Sequence, residues 1–303
     1  GEQTPKSRIS RHEDTTGDGI YDKHSIFIDN LLLPRAVLPL DDRIMVHITN
    51  TLDLWTYRDT DNDGVADEKI KVHEGGRRGG NMEHQPSGLI WNLDNWIYLT
   101  YENKRYRFTD GKLEVEQIPR GGGQWGIGMD DAGRNYYSAA GGEKPAFYFQ
   151  QPIDYGALDL PGQEANGFRE VFPIADVPDV QGGRRRVSKR GGLNNFTGCA
   201  GQGIYRGDRL PADLKGDLII PEPVGRLIRR AKVTRKDGRT VLTNAYPGTE
   251  FIRTRDINFR PLWATTSPDG AMMIIDMHRG IIQQGNWTRP GSYLRGVIDK
   301  WGI

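Results

Sequence analysis

The sequence predicts an all-β fold, a six-bladed β-propeller, and three observations support this prediction. Short apolar strands that follow Asp/Gly turns recur along the chain. An Asp-rich segment begins at Asp14 and again at Asp59, and this 45-residue interval is typical of one four-stranded blade. The 303 residues include 39 Gly and 17 Pro, which suits many short strands joined by turns. We therefore expect a single propeller domain over residues 1–303.

Five segments combine a turn with a strand of alternating apolar positions: "LPLDDRIMVHI", "IWNLDNWIYLT", "GMDDAGRNYYSA", "KGDLIIPEP" and "TSPDGAMMIID". A partial unit at the start brings the expected number of blades to six. The pattern is lost at about residues 141–195, where we expect an irregular insertion, because long ordered loops are commonly functional. The final "SYLRGVIDKWG" is the one candidate for an amphipathic helix.

The composition excludes several classes of protein. A net charge of +1 argues against nucleic acid as the main partner. No apolar run approaches 18 residues, so the sequence predicts no membrane span. A single cysteine, Cys199, excludes disulfides within the chain and cysteine-rich metal sites. The first residues, "GEQTPKSRIS", read like a cut end rather than a native start.

The segment "DTDNDGVADE" has the spacing of a calcium loop, with acids at positions 1, 3 and 5, Gly at 6, a carbonyl at 7 and an acid at 9. Position 12 is Ile70 where an EF-hand has Glu, and the approach, Leu52–Arg58, is rich in strand-forming residues. We therefore expect calcium loops at the tips of β-hairpins, and the alternative is ordinary Asp-Gly turns. The expected ligands of the downstream and upstream loops are Asp59, Asp61, Asp63, Val65 and Asp67, and Asp14, Thr16, Asp18, Ile20 and Asp22.

Three side chains are candidates for chemistry. His84 lies in "GGNMEHQPSG", just before a blade's first strand, where loops line the central funnel of a propeller; the alternative is a surface or packing histidine. Arg253 and Arg255 are two residues apart and lie on one face of a strand. Two adjacent guanidinium groups require an anion between them, so they indicate a site for carboxylates, unless they pair with Asp256 or Glu222.

Two further groups of side chains have a plainer interpretation. The basic segment "GGRRRVSKRGG" is interpreted mainly as a solvated or flexible loop. Exposed Trp faces stack on sugars, but a Trp in a blade strand usually packs in the core. The tryptophans concerned are Trp91, Trp96, Trp125, Trp263 and Trp287.

Two long blocks, "FTGCAGQGIYRGDRLPADLKGDLIIPEPVGRLIRRAKV" and "FIRTRDINFRPLWATTSPDGAMMIIDMHRGII", resemble the closing blades of the soluble quinoprotein glucose and sorbosone dehydrogenase superfamily. The chain is most similar to a branch of membrane-bound dehydrogenases from planctomycetes and related bacteria, which "EHQPSGLIWNLDNWIY" also resembles. In this branch a strand pair precedes the segment at Arg8 and a short strand follows the last one here. The resemblance therefore implies a propeller incomplete at both ends.

The resemblance implies roles for the three candidate side chains. His84 matches the base that takes a proton from a sugar hydroxyl as hydride passes to pyrroloquinoline quinone. Arg253 and Arg255 match the pair that holds the carboxylates of this cofactor. Three other cofactor-contacting positions differ. Gly122 and Gly123 stand where the superfamily has an Arg-Asn pair, and "PEPVGRL" lacks the superfamily's Lys.

The expected function is a periplasmic or extracellular quinoprotein-like oxidoreductase acting on a sugar or polyol, with calcium and pyrroloquinoline quinone as cofactors. The resemblance also implies a c-type cytochrome domain, or another chain of a larger protein, as a partner. A calcium-rich compartment such as the periplasm or the exterior suits calcium loops of low affinity. One alternative is a non-catalytic, calcium-stabilised propeller that binds glycan or protein. Another is a propeller lyase or hydrolase that uses His84.

Overall fold

A computed structural model describes residues 4–119, 121–139, 143–152, 160–174, 183–283, 285 and 287–301. The described chain is all-β apart from one α-helix and short 3₁₀ turns, and its strands pair antiparallel in several small sheets. The predicted all-β class is therefore confirmed. The chain forms two compact units, Gly1–Gln117 and Ile118–Ile303. No helix of the described residues is long and apolar enough to cross a membrane.

The first unit contains a two-stranded hairpin and two four-stranded sheets whose neighbouring strands are consecutive in the chain. This up-and-down arrangement is the one that a propeller blade requires. The hairpin is formed by β1 (Ser7–Glu13) and β2 (Lys23–Leu31). The sheets are β3 (Pro34–Pro39), β4 (Ile44–Ile48), β5 (Leu54–Arg58) and β6 (Glu68–His73), then β7 (Gly88–Trp91), β8 (Ile97–Leu99), β9 (Lys104–Thr109) and β10 (Lys112–Gln117).

The second unit contains a three-stranded, a five-stranded and a two-stranded sheet. Strand β16 pairs with β15, β17 and β18. The strands are β11 (Ile127–Met129), β12 (Asn135–Ala139), β13 (Lys144–Phe147), β14 (Gly203–Ile204), β15 (Leu218–Glu222), β16 (Leu227–Lys236), β17 (Arg239–Asn244), β18 (Ile252–Arg253), β19 (Pro261–Thr266) and β20 (Met272–Asp276). The helix predicted at the end is confirmed as α1 (Tyr293–Trp301), which buries Leu294, Val297 and Ile298.

The predicted Asp/Gly turns join the expected strands. They connect β3 to β4, β7 to β8, β11 to β12 and β19 to β20, and "KGDLIIPEP" enters the fully buried strand β15. Backbone geometry explains these residues, since Asn95, Gly133 and Gly270 all have positive φ values, of 63°, 72° and 86°. Such values suit Asn and Gly far better than branched residues.

Each unit has its own apolar core. In the first unit, Met45, Leu54, Leu99 and Tyr106 belong to one buried cluster of the two four-stranded sheets. Burial of such side chains is the main driving force for folding. Close packing in the second unit requires glycine at Gly201, whose backbone pairs with β19 at Trp263. A Cβ atom at Gly201 would lie 1.9 Å from the Trp263 ring, so a larger residue cannot be accommodated there without movement.

The predicted insertion at residues 141–195 is described only in part, since residues 141–142, 153–159 and 175–182 lie outside the described residues. Its described part includes β13, a 3₁₀ turn at Gly183–Arg186, and isolated bridges from Glu164 to Leu242 and from Glu170 to Asn195. Phe168, Val171 and Leu193 are buried in the core of the second unit. This segment is therefore an integral part of the second unit's packing.

Candidate functional site

A basic pocket lies in the second unit and has a volume of about 750 Å³. Its lining includes both arginines predicted to bind an anion, Arg253 and Arg255. Lys189 and Arg190 line the same pocket, and Glu170 is the one acidic residue among the described residues that line it. The lining therefore carries an excess of positive charge. We refer to these residues and the space between them as the basic pocket.

The four cations of the basic pocket differ from several other arginines of the second unit, which form ion pairs with carboxylates. Arg230 lies 2.6 Å from Asp217, and Arg134 lies 2.6 Å from Asp130. By contrast, no carboxylate of the described residues forms an ion pair with the cations of the basic pocket, which are Lys189, Arg190, Arg253 and Arg255. Positive groups around one pocket stabilise a bound anion through their charge, and they give no such stabilisation to a neutral ligand.

Arg253 is held by the backbone around it. It ends strand β18, where it pairs in register with Leu227 of β16. Its Nη1 donates a hydrogen bond to the carbonyl of Phe172, which also lines the basic pocket, at 3.1 Å. Arg255 lies beyond the end of β18, so the predicted shared strand face is replaced by a strand end and the loop that follows. Both side chains are exposed and both line the basic pocket.

The alternative acidic partners of these arginines have other hydrogen bonds. Glu222 is fully buried and accepts hydrogen bonds from the backbone N–H groups of Thr197, Gly198 and Val224, at 3.0, 2.8 and 3.0 Å. Burial raises the pKa of Glu222 in spite of these bonds. The Asp256 carboxylate accepts from the Asn258 N–H at 2.9 Å.

A buried ion pair supports the wall of the basic pocket. The side chains of Arg229 and Glu250 are 0% exposed, and their nearest N and O atoms are 2.5 Å apart. Arg229 also donates to the carbonyls of Phe168 and Glu170, at 2.6 and 2.8 Å. Glu250 accepts the Phe172 N–H at 3.0 Å. The pair therefore fixes the segment 168–172, whose Phe172 carbonyl in turn receives Arg253.

Lys189 and Arg190 lie on an ordered turn. Val187 and Leu193 form a β-bridge. In the turn between them, the Ser188 N–H donates a hydrogen bond to the Gly192 carbonyl at 2.7 Å. Ser188 Oγ accepts the Arg190 N–H at 3.2 Å. Lys189 and Arg190 are exposed, as expected for a solvated loop, but they lie on a hydrogen-bonded turn.

The same interpretation is wrong for Arg186, which is buried. Arg186 lies 3.4 Å from Glu143 and donates to Thr197 Oγ1. An arginine fixed in this way anchors its loop to the core, because its partners belong to other segments of the second unit.

His84 lies in the first unit, at the end of the 3₁₀ turn Met82–His84. Asn81 caps this turn by accepting the Glu83 N–H, and Arg78 donates to the His84 carbonyl at 2.9 Å. The Arg78 guanidinium lies 4.8 Å from the centre of the Tyr101 ring, and the centres of the His84 and Tyr101 rings are 6.4 Å apart. The imidazole is therefore exposed on a backbone fixed by a cap and a cation–π contact, which is a suitable position for an acid–base group.

The downstream acidic loop is the tip of the β5–β6 hairpin, as predicted. Ligand oxygens of Asp59, Asp61 and Asp63 all lie within 4.8 Å of one another, a spacing that could hold a metal ion. Asp67 has a different contact, because its two oxygens accept from the N–H and hydroxyl of Thr60, at 2.9 and 2.5 Å. The hydroxyl bond of Thr60 is the main cause of the lowered pKa of Asp67.

The upstream loop is the tip of the β1–β2 hairpin and has the same hydrogen-bond pattern. Asp22 accepts from the N–H and hydroxyl of Thr15, as Asp67 does from Thr60, and Asp14 accepts the Gly19 N–H at 2.8 Å, as Asp59 accepts the Gly64 N–H. Among the described residues, however, only the downstream loop brings three acidic side chains together. The carbonyl oxygens of Ile20 and Val65 are the expected backbone ligands, and the side chains of both residues are exposed.

The tryptophans divide into two groups. Trp96 is buried beneath the guanidinium groups of Arg105 and Arg107, which lie 4.5 and 4.2 Å from its ring centre. Trp91 and Trp287 remain 44% and 39% exposed. Trp125 and Trp263 are half-buried and belong with Trp96, so Trp91 and Trp287 are the rings most available for stacking on a sugar.

Sequence reasoning missed the buried pair Arg229–Glu250 and the contribution of Lys189 and Arg190 to the basic pocket. "LIRRAKV" does show a hydrophobic strand with adjacent arginines at its centre. Since unpaired charges are rarely buried, this pattern signals a buried partner. Its partner, Glu250, is 21 positions away along the chain. No local spacing identifies it.

Comparison with known proteins supports the fold. No curated protein matches the chain. The calcium and iodide structures of Trichoderma reesei Carbohydrate-Active Enzymes Family AA12 superimpose with TM-scores of 0.52 and 0.51, at 11% identity and over 92% of each chain. The holo form of the pyranose dehydrogenase PQQ domain from Coprinopsis cinerea gives a TM-score of 0.49 at 11% identity, over 89% of this chain and 86% of that one.

The AA12 structures show a shared fold, and a family assignment comes from the sequence itself. One family model matches residues 1–301. This protein therefore belongs to the family described as Domain of unknown function (DUF7133).

Proposed function

We propose that this protein is an oxidoreductase that acts on a hydroxyl group of a sugar or polyol, with pyrroloquinoline quinone bound in the basic pocket. One observation carries this proposal. Arg253 and Arg255, which have no carboxylate partner among the described residues, line a pocket of about 750 Å³. This volume is within the range of roughly 300–1,000 Å³ that is usual for small-molecule and cofactor sites.

The residues of the basic pocket fit the cofactor. Pyrroloquinoline quinone carries several carboxylates on a flat ring system, and planar guanidinium groups bind carboxylates in a bidentate manner. Arg253 and Arg255 would hold these carboxylates. When bound, the quinone supplies the chemistry that the side chains lack, namely acceptance of a hydride from the substrate carbon. Gly123 differs from the quinoprotein superfamily, and a side chain would be strained there, because its φ is 73° and an added Cβ atom would lie 3.0 Å from the Tyr137 ring.

His84 is proposed as the general base. Oxidation of an alcohol removes one hydride from carbon and one proton from oxygen, and leaves a carbonyl. Imidazole is suited to accept this proton, because the ordinary pKa of histidine is close to neutral. The exposed ring of His84, on a backbone fixed by Asn81 and Arg78, is available to a substrate hydroxyl.

The proposal has three further parts. The sheets of both units are proposed to be blades of one β-propeller, six by the sequence, because their strands follow one another as blade strands do. The downstream loop is proposed to bind calcium through Asp59, Asp61 and Asp63, with weaker binding by the upstream loop. A periplasmic or extracellular location, with a c-type cytochrome domain or another chain as electron acceptor, is consistent with this chemistry.

The test is titration calorimetry of pyrroloquinoline quinone, with calcium present, into the wild-type chain and into an Arg253→Gln/Arg255→Gln variant. Each lost charge-assisted hydrogen bond is worth about 1.5–3 kcal/mol, so we expect the affinity of the variant for the cofactor to fall about 10-fold or more. A His84→Gln variant should retain binding and lose sugar-dependent reduction of an artificial electron acceptor.

A matched control keeps the change in charge and moves it away from the basic pocket. Arg235 and Lys236 are adjacent, exposed cations near the end of β16, and neither lines the basic pocket. The Arg235→Gln/Lys236→Gln variant should bind the cofactor as the wild type does. Absence of binding by the wild type would refute the dehydrogenase proposal and make glycan or protein binding the leading alternative.

A further inference from the structure

The cations of the basic pocket come from two separate parts of the chain. Arg253 and Arg255 belong to the end of β18 and the loop after it, and in the proposed function they hold the cofactor. Lys189 and Arg190 belong to the turn between Val187 and Leu193. The proposed function leaves this second pair without a role.

The second pair is held in place by the fold. The turn is closed by the Ser188 N–H to Gly192 carbonyl bond and by the Ser188 Oγ contact with the Arg190 N–H. Its base is anchored by the buried side chain of Arg186, which contacts Glu143 and Thr197. A ligand that binds to such a turn loses little affinity to ordering of the backbone.

Lys189 and Arg190 are exposed cations that line the basic pocket together with Arg253 and Arg255. Lys189 and Arg190 repel each other and repel Arg253 and Arg255, and no described carboxylate forms an ion pair with any of the four. Glu170 lines the pocket, and it forms no ion pair with these cations. A bound anion beside Lys189 and Arg190 would relieve the repulsion.

We propose that Lys189 and Arg190 form an anion subsite, and that the sugar bound beside it carries an acidic group. This inference rests on the proposed function, and it identifies the substrate class as acidic sugars. A uronate carboxylate, a phosphate ester and a sulfate ester share the chemistry that the subsite recognises. A planar carboxylate or a tetrahedral oxyanion can each accept hydrogen bonds from the Arg190 guanidinium and the Lys189 ammonium group.

The experiment compares sugars that differ at one carbon. D-glucose, D-glucuronate and D-glucose 6-phosphate are titrated by ligand-observed NMR, at low salt, into the wild-type chain and into a Lys189→Gln/Arg190→Gln variant. We expect the wild type to bind at least one of the acidic sugars about 10-fold or more tightly than glucose, and the variant to lose this preference with unchanged glucose binding. The Arg235→Gln/Lys236→Gln variant should keep the preference.

The outcomes separate the subsite from the dehydrogenase. A stronger preference for glucuronate identifies a carboxylate as the recognised group, and a stronger preference for glucose 6-phosphate identifies a phosphate. Equal binding of all three sugars by the wild type, or a preference retained by the double variant, overturns the subsite. The subsite is also overturned if Lys189→Gln/Arg190→Gln weakens cofactor binding as strongly as Arg253→Gln/Arg255→Gln does. Failure of the cofactor to bind, with the preference intact, overturns the dehydrogenase and leaves the anion subsite standing.

Discussion

His47 is a fully buried histidine whose ring is neutral at physiological pH. Its Nε2 lies 2.8 Å from the Thr51 carbonyl, and its Nδ1 has no partner within the described chain. The pKa of His47 is lowered to about 4, chiefly by burial and with smaller contributions from the charges of Arg35 and Arg78, while the Thr51 carbonyl and Asp53 oppose the shift. The unfolded chain therefore binds a proton at a pH where the folded chain does not.

We expect stability to fall as the pH drops from about 6.5 towards 4, the window between the ordinary and the folded pKa of His47. Above this window the stabilisation is fully present, and below it about 3 kcal/mol is lost. Urea unfolding at pH 7 and at pH 4.5 measures the effect. In His47→Gln, whose amide can still donate to the Thr51 carbonyl, the difference between the two pH values should shrink by about 2 kcal/mol.

His24 provides the control for this prediction, because it is exposed on β2. His24→Gln should leave the pH dependence of unfolding unchanged. A His47→Gln variant with the same pH dependence as the wild type would show that the burial of His47 does not contribute to it.

Single residues also mark how far the sequence alone can predict a site. Arg253 and Arg255 were identified by their spacing, because adjacent like charges require an anion. Lys189 and Arg190 line the same pocket as Arg253 and Arg255, although more than 60 positions of the chain separate the two pairs. Such proximity is a property of the fold, and a basic run such as "GGRRRVSKRGG" is typical of exposed loops in general.

The two acidic hairpin tips are the elements that the sequence predicted most completely. Removal of calcium should lower the melting temperature of the wild type, since an ion that binds only the folded state stabilises it by mass action. An Asp61→Asn/Asp63→Asn variant should lose most of this sensitivity to chelator, because only the upstream loop, whose acids do not gather, remains intact. Differential scanning calorimetry measures both.

The upstream loop tests whether the third acid matters. It has Thr16 where the downstream loop has Asp61, and its acids do not gather as Asp59, Asp61 and Asp63 do. An Asp18→Asn variant should therefore retain most of the sensitivity to chelator. A wild-type melting curve that chelator leaves unchanged would show that neither loop binds calcium, and that both are ordinary Asp-Gly turns.

The Arg229–Glu250 pair connects β16 to the wall of the basic pocket. Removal of one partner leaves the other charge buried without compensation, at a cost of about 3–5 kcal/mol, whereas removal of both can be nearly neutral. Arg229→Met should therefore destabilise the chain strongly, and Arg229→Met/Glu250→Leu should recover much of the loss. Urea unfolding of the single and double variants measures this coupling.

The conservative variant Glu250→Gln removes the charge of the pair, which affects the stability of the chain, without removing the group that positions the Phe172 backbone. It retains an acceptor for the Phe172 N–H, so the backbone that receives Arg253 can stay in place. If Arg229→Met costs less than about 1 kcal/mol, the pair is not a buried charge pair in solution.

At the scale of the whole molecule, the all-β class and most hairpins could be predicted, because they depend on local patterns. Alternating apolar positions set the strands, and Asp, Asn and Gly set the turns between them. Long-range features could not be predicted. The bridge from Gly201 to Trp263 and the pairing of β16 with β18 join segments whose contact has no local signature. The tight approach at Gly201 became visible only from the structure.

The family model that covers residues 1–301 is described as a domain of unknown function, so the candidate chemistry rests on the basic pocket and on His84. The net charge of +1 conceals this site, because the positive charges of the basic pocket are offset elsewhere in the chain. A global charge balance argues against nucleic acid as a main partner, and it does not exclude a local anion site.

Cys199 is the sole cysteine of the chain, and it is buried in the core of the second unit beside Glu222. Burial, reinforced by the Glu222 carboxylate, raises the pKa of its thiol well above the ordinary value. The thiolate is the nucleophile that attacks a thiol reagent, so burial and the raised pKa both slow labelling of Cys199 in the folded molecule. Labelling of Cys199 therefore requires the second unit to open locally. The rate of labelling measures how often this opening occurs, and no engineered cysteine is needed.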